Sequence, residues 1–348
     1  MFIYLSTMVH KKFTTNLIYW HNNFNNRQLA WKGEQDVYKI WLSEIILQQT
    51  RAEQGLPYYK AFINAYPTVT ALANATNEAV FKLWEGLGYY SRCRNLLFTA
   101  RLVRDAYQGE FPNNYTALLT LKGVGPYTAA AIASFGYNQA VAVVDGNVIR
   151  VLARYFGLHH TFNTAQGKKV FNTQASACLD AQNPATYNQA IMDFGATICK
   201  PKLPMCATCY LQKNCYAFKN NLQTVLPVKG KKIEIKNRYF NYIVATYKNK
   251  IIIKQRTQPD IWNQLYEFIL LETPTALNAL PFIQNTFYAG ATQIGNTITQ
   301  KLTHQKIDIS FYQATLKKLP SGYLAVPKSE LINYGFPISL KKFIDSFL

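Results

Sequence analysis

Leu121-Lys122-Gly123-Val124-Gly125-Pro126-Tyr127-Thr128, running into Ala129-Ala130-Ala131, is the stretch on which the fold turns. Two glycines allow a sharp backbone turn and the close approach of a ligand. Pro126 suits the first residue of a new helix, where its missing N–H is not needed. This is the signal of a helix-hairpin-helix, whose exposed amides and following helix N-terminus suit a phosphate without reading sequence. A plain helix-helix turn has the same local features, and the residues downstream bear on the choice.

Downstream, Cys199, Cys206, Cys209 and Cys215 are separated by six, two and five residues. Thiolate is a soft ligand suited to zinc or iron-sulfur chemistry, and four in one short loop can wrap a single centre without distant help. Zinc ribbons usually present two Cys-x-x-Cys knuckles, whereas here only Cys206-Ala207-Thr208-Cys209 is one. The wider outer spacings favour a [4Fe-4S] cluster over zinc, and either over disulfides. Cys93 and Cys178 lie outside the loop and read as core residues.

At 348 residues the chain exceeds what one core usually serves, so two domains are expected. Its 37 Lys and Arg against 18 Asp and Glu give a formal charge of +19, and 24 Tyr with 21 Phe supply stacking groups beside that charge. Together these favour a nucleic-acid partner over a merely solvated basic surface. The part up to Val225 and the remainder are both basic, so an extended polyanion can touch both. No stretch is apolar enough to span a membrane, and Met1 to Thr15 lacks the apolar core of a signal peptide. With clustered free thiolates, this leads to the expectation of a cytoplasmic protein.

Pro57 to Ala65, Asn77 to Leu87, Asn95 to Gln108 and Gly167 to Asp180 carry apolar residues three and four apart between Pro, Gly or Asn breaks, and read as helices. After the cysteines the texture changes. Pro227, Lys229, Gly230, Lys231 and Lys232 mark a linker. Tyr239 to Tyr247 and Ile251 to Gln255 then read as strands joined by a Lys248-Asn249-Lys250 turn, with a later strand at Ile307 to Leu316 and a closing helix at Ser339 to Phe347. The expected organisation is an all-α domain over 1–225 with the cysteine loop at 199–215, a linker over 226–236, and an α+β domain over 237–348.

Two carboxylates stand out. Val37, Ile40, Trp41, Glu44 and Gln48 share one helical face, while Leu42, Ile45 and Ile46 make the rest of that helix apolar. Glu44 is thus a lone carboxylate on a buried helix. Desolvation raises its pKa and makes a neutral-pH general acid, unless an Arg or a backbone cap pairs with it. Asp145 follows the apolar run Val141 to Val144 and precedes the helix-like stretch Val148 to Tyr155. It reads as an N-cap carboxylate, which stays ionised and can stabilise a developing cation.

Gly123-Val124-Gly125, Val144-Asp145-Gly146-Asn147-Val148 and the four-cysteine loop together resemble the endonuclease III superfamily of DNA glycosylases. Trp41-Leu42-Ser43-Glu44-Ile45-Ile46-Leu47-Gln48-Gln49-Thr50 and Glu85-Gly86-Leu87-Gly88-Tyr89-Tyr90-Ser91-Arg92 are similar to its MutY branch, the adenine DNA glycosylases. The resemblance covers roughly residues 28 to 227. It implies that Glu44 protonates N7 of a flipped adenine, that Asp145 stabilises the oxocarbenium-like sugar, including as a transient covalent adduct, and that Glu44 then activates water. It also implies a [4Fe-4S] cluster on Cys199, Cys206, Cys209 and Cys215 that is structural or DNA-sensing.

Bifunctional relatives carry a Lys two residues after the second hairpin glycine, and this chain has Tyr127. A phenol cannot form an imine, so the implied enzyme is monofunctional, with Tyr127 hydrogen-bonding near Glu44 or the base. Gln49 and Tyr89 are implied to fill the stack behind the flipped base, Gly123, Gly125 and Thr128 to meet DNA, and Trp31 to line the adenine pocket. The implied partner is double-stranded DNA with adenine opposite 8-oxoguanine or guanine, bound by a monomer. The alternatives are a bifunctional pyrimidine glycosylase, against which Tyr127 counts, and a non-catalytic iron-sulfur DNA-binding protein, against which Glu44 and Asp145 count.

The C-terminal part looks similar to the Nudix-like module with which that branch inspects the base opposite adenine. No Arg-Glu-x-x-Glu-Glu helix follows Trp262 to Phe268, and no acidic residue lies between Glu272 and Asp308, so pyrophosphate chemistry lacks metal ligands. The family's recognition loop commonly reads Phe-Ser-His. Leu302-Thr303-His304 keeps a hydroxyl at Thr303 and the imidazole at His304 but lacks the stacking ring.

Overall fold

The computed structural model of the chain describes residues 2–230, 234–276, 280–286 and 290–347. Two compact units account for the fold: Met1–Asn74 with Phe98–Lys231, and Ala75–Leu97 with Lys232–Leu348. Among the described residues no helix is long and apolar enough to cross a membrane. The Lys231 and Lys232 of the expected linker lie outside the described residues.

The first unit is helical. Asp36 caps the helix Val37–Leu47, its Oδ1 accepting from the Tyr38 amide at 2.9 Å. An acceptor at this position satisfies one of the orphan amides of the first turn and contributes about 1 kcal/mol. The body of the helix is apolar all round, and Ile40, Trp41, Leu42, Ile45 and Ile46 are all buried, which is why it lies inside the unit. The helix Pro126–Tyr137 begins at the proline, as expected, and packs on it through small residues. A second layer is formed by Phe2–Phe24, Gly146–Phe156, Ala165–Cys178 and Pro184–Thr197. Phe13, Leu17, Leu152, Phe171 and Phe194 make its core, each contributing on the order of 2 kcal/mol by burial. Cys178 is buried there as a free thiol, and Cys93 is a buried free thiol in the second unit.

The second unit contains a mixed sheet: β1 Lys236–Tyr247, β2 Lys250–Gln255, β3 Tyr266–Glu267, β4 Ile269–Thr273, β5 Thr292–Lys301, β6 Gln305–Thr315 and β7 Leu324–Val326. The order is β3-β2-β1-β6-β5, with β4 also on β1 and β7 on β2. β1 and β6 run parallel from Lys236 opposite Gln305 to Thr246 opposite Thr315, and the other pairs are antiparallel. Of the expected Lys248-Asn249-Lys250 turn, Lys248 and Asn249 close β1 on β2 with φ of 47° and 60°, the left-handed pair that a two-residue hairpin requires, while Lys250 already pairs with Tyr247 as the first residue of β2. Leu302, Thr303 and His304 form the tip of the β5–β6 hairpin, closed by the Leu302 amide on the Gln305 carbonyl at 2.7 Å. The helix Ile338–Phe347 covers one face of the sheet, with Phe343 stacked on Phe311 at 3.8 Å.

Candidate active site

Glu44 sits in the third turn of Val37–Leu47 and is only 7% exposed. Its carboxyl is pushed up to about 7, first by burial and then by the Asp145 charge, against a hydrogen bond from Tyr127 that favours the ionised form. The Tyr127 phenol, in the first turn of Pro126–Tyr137, is raised well above its ordinary value by burial and by the two carboxylates, and stays protonated as a donor. Asp145 is the N-cap of Gly146–Phe156, accepting from the Val148 amide at 2.7 Å and from Asn147 Nδ2 at 2.7 Å. The N-cap geometry is as expected, and burial outweighs those bonds and moves its pKa upward. Two carboxyl groups in one buried cluster cannot ionise equally easily. Glu44, the more enclosed, is the one held at the edge of protonation near neutrality.

Glu44 also lines a cavity of about 270 Å³ with Trp31, His21, Phe135, Gln189 and Met192. Trp31 therefore reaches the same cavity as the acid, and it contacts Tyr59 edge-on at 5.6 Å. Tyr127 and Asp145 do not line that cavity.

The hairpin is tied to this helix by a residue that the sequence reading placed on the Glu44 face without giving it a role. Gln48 Nε2 donates to the Gly123 carbonyl at 3.2 Å and to Thr128 Oγ1 at 3.4 Å. Its position four residues after Glu44 was the available signal. Gly123 has φ of +84°, which explains its lack of a side chain. Gly125, the N-cap, has an ordinary φ of −87°, and a Cβ there would meet nothing within 4 Å. Its openness is thus toward the outside of the chain. Thr128 is 2% exposed, and its hydroxyl accepts from Gln48 Nε2, so its side chain is turned toward the helix that carries Glu44. Gln49 is exposed with a left-handed φ of 55°.

Cys199, Cys206, Cys209 and Cys215 line one small cavity together with Arg154, Tyr155 and Met205. Among the described residues, no three His, Cys, Asp or Glu side chains converge into a preformed ion-binding group, so what the four thiols share is the cavity. The donor set fits a thiolate-ligated centre: four free cysteines, no competing disulfide, and a guanidinium beside the sulfurs, with Arg154 Nη1 at 3.4 Å from Cys199 Sγ. Arg154 also donates to the Lys200 carbonyl at 2.7 Å and the Leu226 carbonyl at 3.0 Å. Arg150 donates to the Cys199 carbonyl at 2.7 Å and to Asn147 Oδ1 at 2.8 Å, so a run of hydrogen bonds joins the loop to the Asp145 carboxylate through Asn147. Gly195 permits this, because a Cβ there would lie 2.6 Å from that of Asn147. Sequence reasoning missed both arginines, although their i, i+4 spacing after the cap was visible.

In the second unit, Tyr89 is 48% exposed with φ of 49°, and its hydroxyl shares a 2.6 Å hydrogen bond with Thr303 Oγ1. Arg92 stacks over the Tyr89 ring at 5.3 Å and donates to the Gly88 carbonyl at 3.2 Å, which steadies the turn. Tyr89, Thr303 and His304 line one cavity of about 460 Å³ with Arg94, Trp262 and Gln305. Leu302 instead packs partly into the sheet core. The acidic residues of this unit nearest the expected Nudix position are already engaged: Asp260 and Glu272 by Arg238, and Glu267 by Arg256.

Residues 42–174 match the HhH-GPD superfamily of base excision DNA repair proteins, and residues 241–346 match the NUDIX domain. The adenine DNA glycosylase of Buchnera aphidicola subsp. Baizongia pistaciae is 35% identical over 257 residues, covering 74% of this chain and 73% of that one. The human adenine DNA glycosylase is 37% identical over 227 residues, covering 63% of this chain and 41% of that one. Among solved structures, a thermostable thymine-DNA glycosylase superposes with a TM-score of 0.57 at 29% identity, covering 61% of this chain and 98% of that one. An endonuclease III–DNA complex, at 19% identity and a TM-score of 0.53, covers 62% of this chain and 98% of that one and shares the fold. The chain belongs to the MutY-type adenine DNA glycosylases, hydrolases that cleave the N-glycosyl bond of adenine in base excision repair.

Proposed function

We propose that this protein excises adenine mispaired with 8-oxoguanine or guanine in duplex DNA, by acid-assisted hydrolysis and without strand cleavage. The observation that carries this reading is the state of Glu44: its carboxyl, raised to about 7 by burial, takes a hydrogen bond from the Tyr127 phenol and feels the charge of Asp145. Glu44 delivers its proton to N7 of the extruded base, the C1′–N9 bond breaks, and adenine leaves neutral. The Asp145 carboxylate carries the positive charge that develops on the sugar, by ion pairing or as a short-lived C1′–Oδ ester. Glu44, now ionised, takes a proton from water as its oxygen adds to C1′, which restores the acid and leaves an abasic site. Tyr127 offers no amine, so no imine forms at C1′.

Trp31 supports the reading of the Glu44 cavity as the adenine pocket. Gln49 and Tyr89 are exposed side chains available to fill the stack behind the base. Gly123 and Gly125 present backbone to phosphate, and Thr128 joins them through its amide alone. Cys199, Cys206, Cys209 and Cys215 would hold a [4Fe-4S] cluster, whose role would be structural or DNA-sensing rather than catalytic. We assign the chemistry to residues 1–225 and the reading of the opposite base to 237–348, through Thr303 and His304. The enzyme acts as a monomer in the cytoplasm.

The test is single-turnover excision from duplexes bearing adenine opposite 8-oxoguanine, guanine or thymine. Adenine is expected to be released fastest opposite 8-oxoguanine and slowest opposite thymine. Thr303→Ala is expected to narrow the 8-oxoguanine-over-guanine preference about 2- to 10-fold, the effect of one hydrogen bond. Equal rates on all three duplexes would refute the assignment of opposite-base recognition.

A further inference from the structure

Asp193, on the helix Pro184–Thr197, is fully buried and has no part in the reaction above. Its carboxylate accepts from Asn25 Nδ2 at 2.8 Å and Arg27 Nη1 at 2.8 Å, and lies 3.1 Å from Lys32 Nζ. Burial pushes this carboxyl up, but the donors outweigh burial and hold it below its ordinary range, so it is a carboxylate. The cluster is cross-braced. Lys32 Nζ donates to the Arg27 carbonyl at 3.0 Å, the Arg27 amide to Asn25 Oδ1 at 3.1 Å, and Asn25 Nδ2 is 3.0 Å from His21 Nδ1.

What this single charge holds is a segment with no ladder of its own. Residues 25–29 are in no regular element and 30–33 form a turn. The segment nonetheless supplies Arg27, Leu29, Trp31 and Lys32 to the cavity that Glu44 lines, while the helix bearing Asp193 supplies Gln189 and Met192 to the same cavity. Asp193 therefore fastens two walls of one cavity to each other. An irregular segment keeps a fixed place only if specific bonds offset its conformational freedom, and three of its residues find those bonds at Asp193.

We propose that Asp193 is the positioning residue of the base pocket: a buried charge that sets the Trp31 wall in register with Glu44, so that an extruded adenine presents N7 to the acid. The proposal rests on the reading of that cavity as the adenine site. Misplacing a reacting group by about 1 Å can lower a rate about 10²-fold, so a loosened wall should be felt in chemistry more than in DNA affinity.

The experiment uses the full chain with Asp193→Asn, Asp193→Glu and Arg27→Met. Single-turnover excision opposite 8-oxoguanine is measured alongside affinity for two uncleavable duplexes, one with 2′-fluoro-deoxyadenosine and one with tetrahydrofuran at that position. Asp193→Asn is expected to slow excision by about 10- to 100-fold and to weaken the fluoro-adenine duplex several-fold, while the base-less tetrahydrofuran duplex binds as it does to wild type. Asp193→Glu restores the charge and should recover part of the rate. Adding Arg27→Met to Asp193→Asn should cost little more, because both remove the same contact. If Asp193→Asn does not fold, Arg27→Met combined with Lys32→Met reads the same split from the other side. Excision within threefold of wild type, or equal weakening on both duplexes, overturns the proposal. Wild type measured in the same series separates the two readings: if it leaves adenine in place, the adenine assignment fails before the positioning claim is reached.

Discussion

Replacing Glu44 with Gln is expected to cripple base release and, at the same time, to stabilise the protein above neutral pH. The carboxyl stands at about 7 against an ordinary 4.5, with burial as the main cause. Below pH 4.5 the group is protonated in folded and unfolded chains alike and has no effect on stability. As the pH rises from there the unfolded chain ionises first, so wild-type stability falls until the folded carboxyl ionises near 7, and above that the penalty is constant. At 1.36 kcal/mol per pH unit, the plateau is about 3 kcal/mol. Gln keeps the shape and never ionises, so the variant escapes this penalty. The hydrogen bond from Tyr127 is already included in that value, and the Gln amide oxygen can still accept it, so the expected gain at pH 8 is about 3 kcal/mol. For a unit of this size that raises the thermal midpoint by about 6 to 12 °C. Thermal unfolding of both proteins at pH 5 and pH 8 should show the difference at pH 8 and little of it at pH 5. Single-turnover excision by the variant should fall by about 10² to 10⁴, with duplex affinity within a few fold. The wild-type rate should decline about tenfold per unit above pH 7. A stability difference that is the same at both pH values, or a wild-type rate that stays flat from pH 7 to 9, would show that Glu44 does not carry the shifted proton.

The remaining expectations concern the cysteine loop and the hairpin. Protein purified without oxygen should be brown and contain about four irons per chain; a colourless, folded protein with one zinc would refute the cluster. Borohydride should trap no covalent complex between the wild type and a cleavable duplex, whereas Tyr127→Lys, which places an amine beside Glu44, is expected to gain one. Efficient trapping by the wild type would restore the strand-cleaving alternative.

Glu44 and Asp145 were legible from the residues because each announces itself over a few positions, a carboxylate in an apolar helix and an acid at a helix start, whereas Tyr127 drew attention only through the resemblance, as the residue standing where bifunctional relatives carry Lys. The two strands joined at Lys248-Asn249 were legible for the same local reason as the two acids, whereas Leu302-Thr303-His304 stood out only by its likeness to the family's recognition loop, and the strand β5 that leads into it carried no signal that was read. Burial and long-range pairing were not legible. Thr128 was expected to meet DNA only through the resemblance, and nothing local foretold that packing would turn its side chain inward to accept from Gln48. Asp145 looked like a simple cap, and only its surroundings moved its proton affinity upward. Asp193 carries the same sequence signal as Glu44, a lone acid in an apolar helix, yet it meets Arg27 and Lys32 from more than 160 residues away. Local pattern was enough for several helices, the glycine hairpin, three of the strands and the chemical types available. Which buried carboxyl is neutralised by cations and which is left to hold a proton was decided by tertiary structure. Desolvation and charge pairing depend on what surrounds a side chain in space, and the local pattern is the same in both cases.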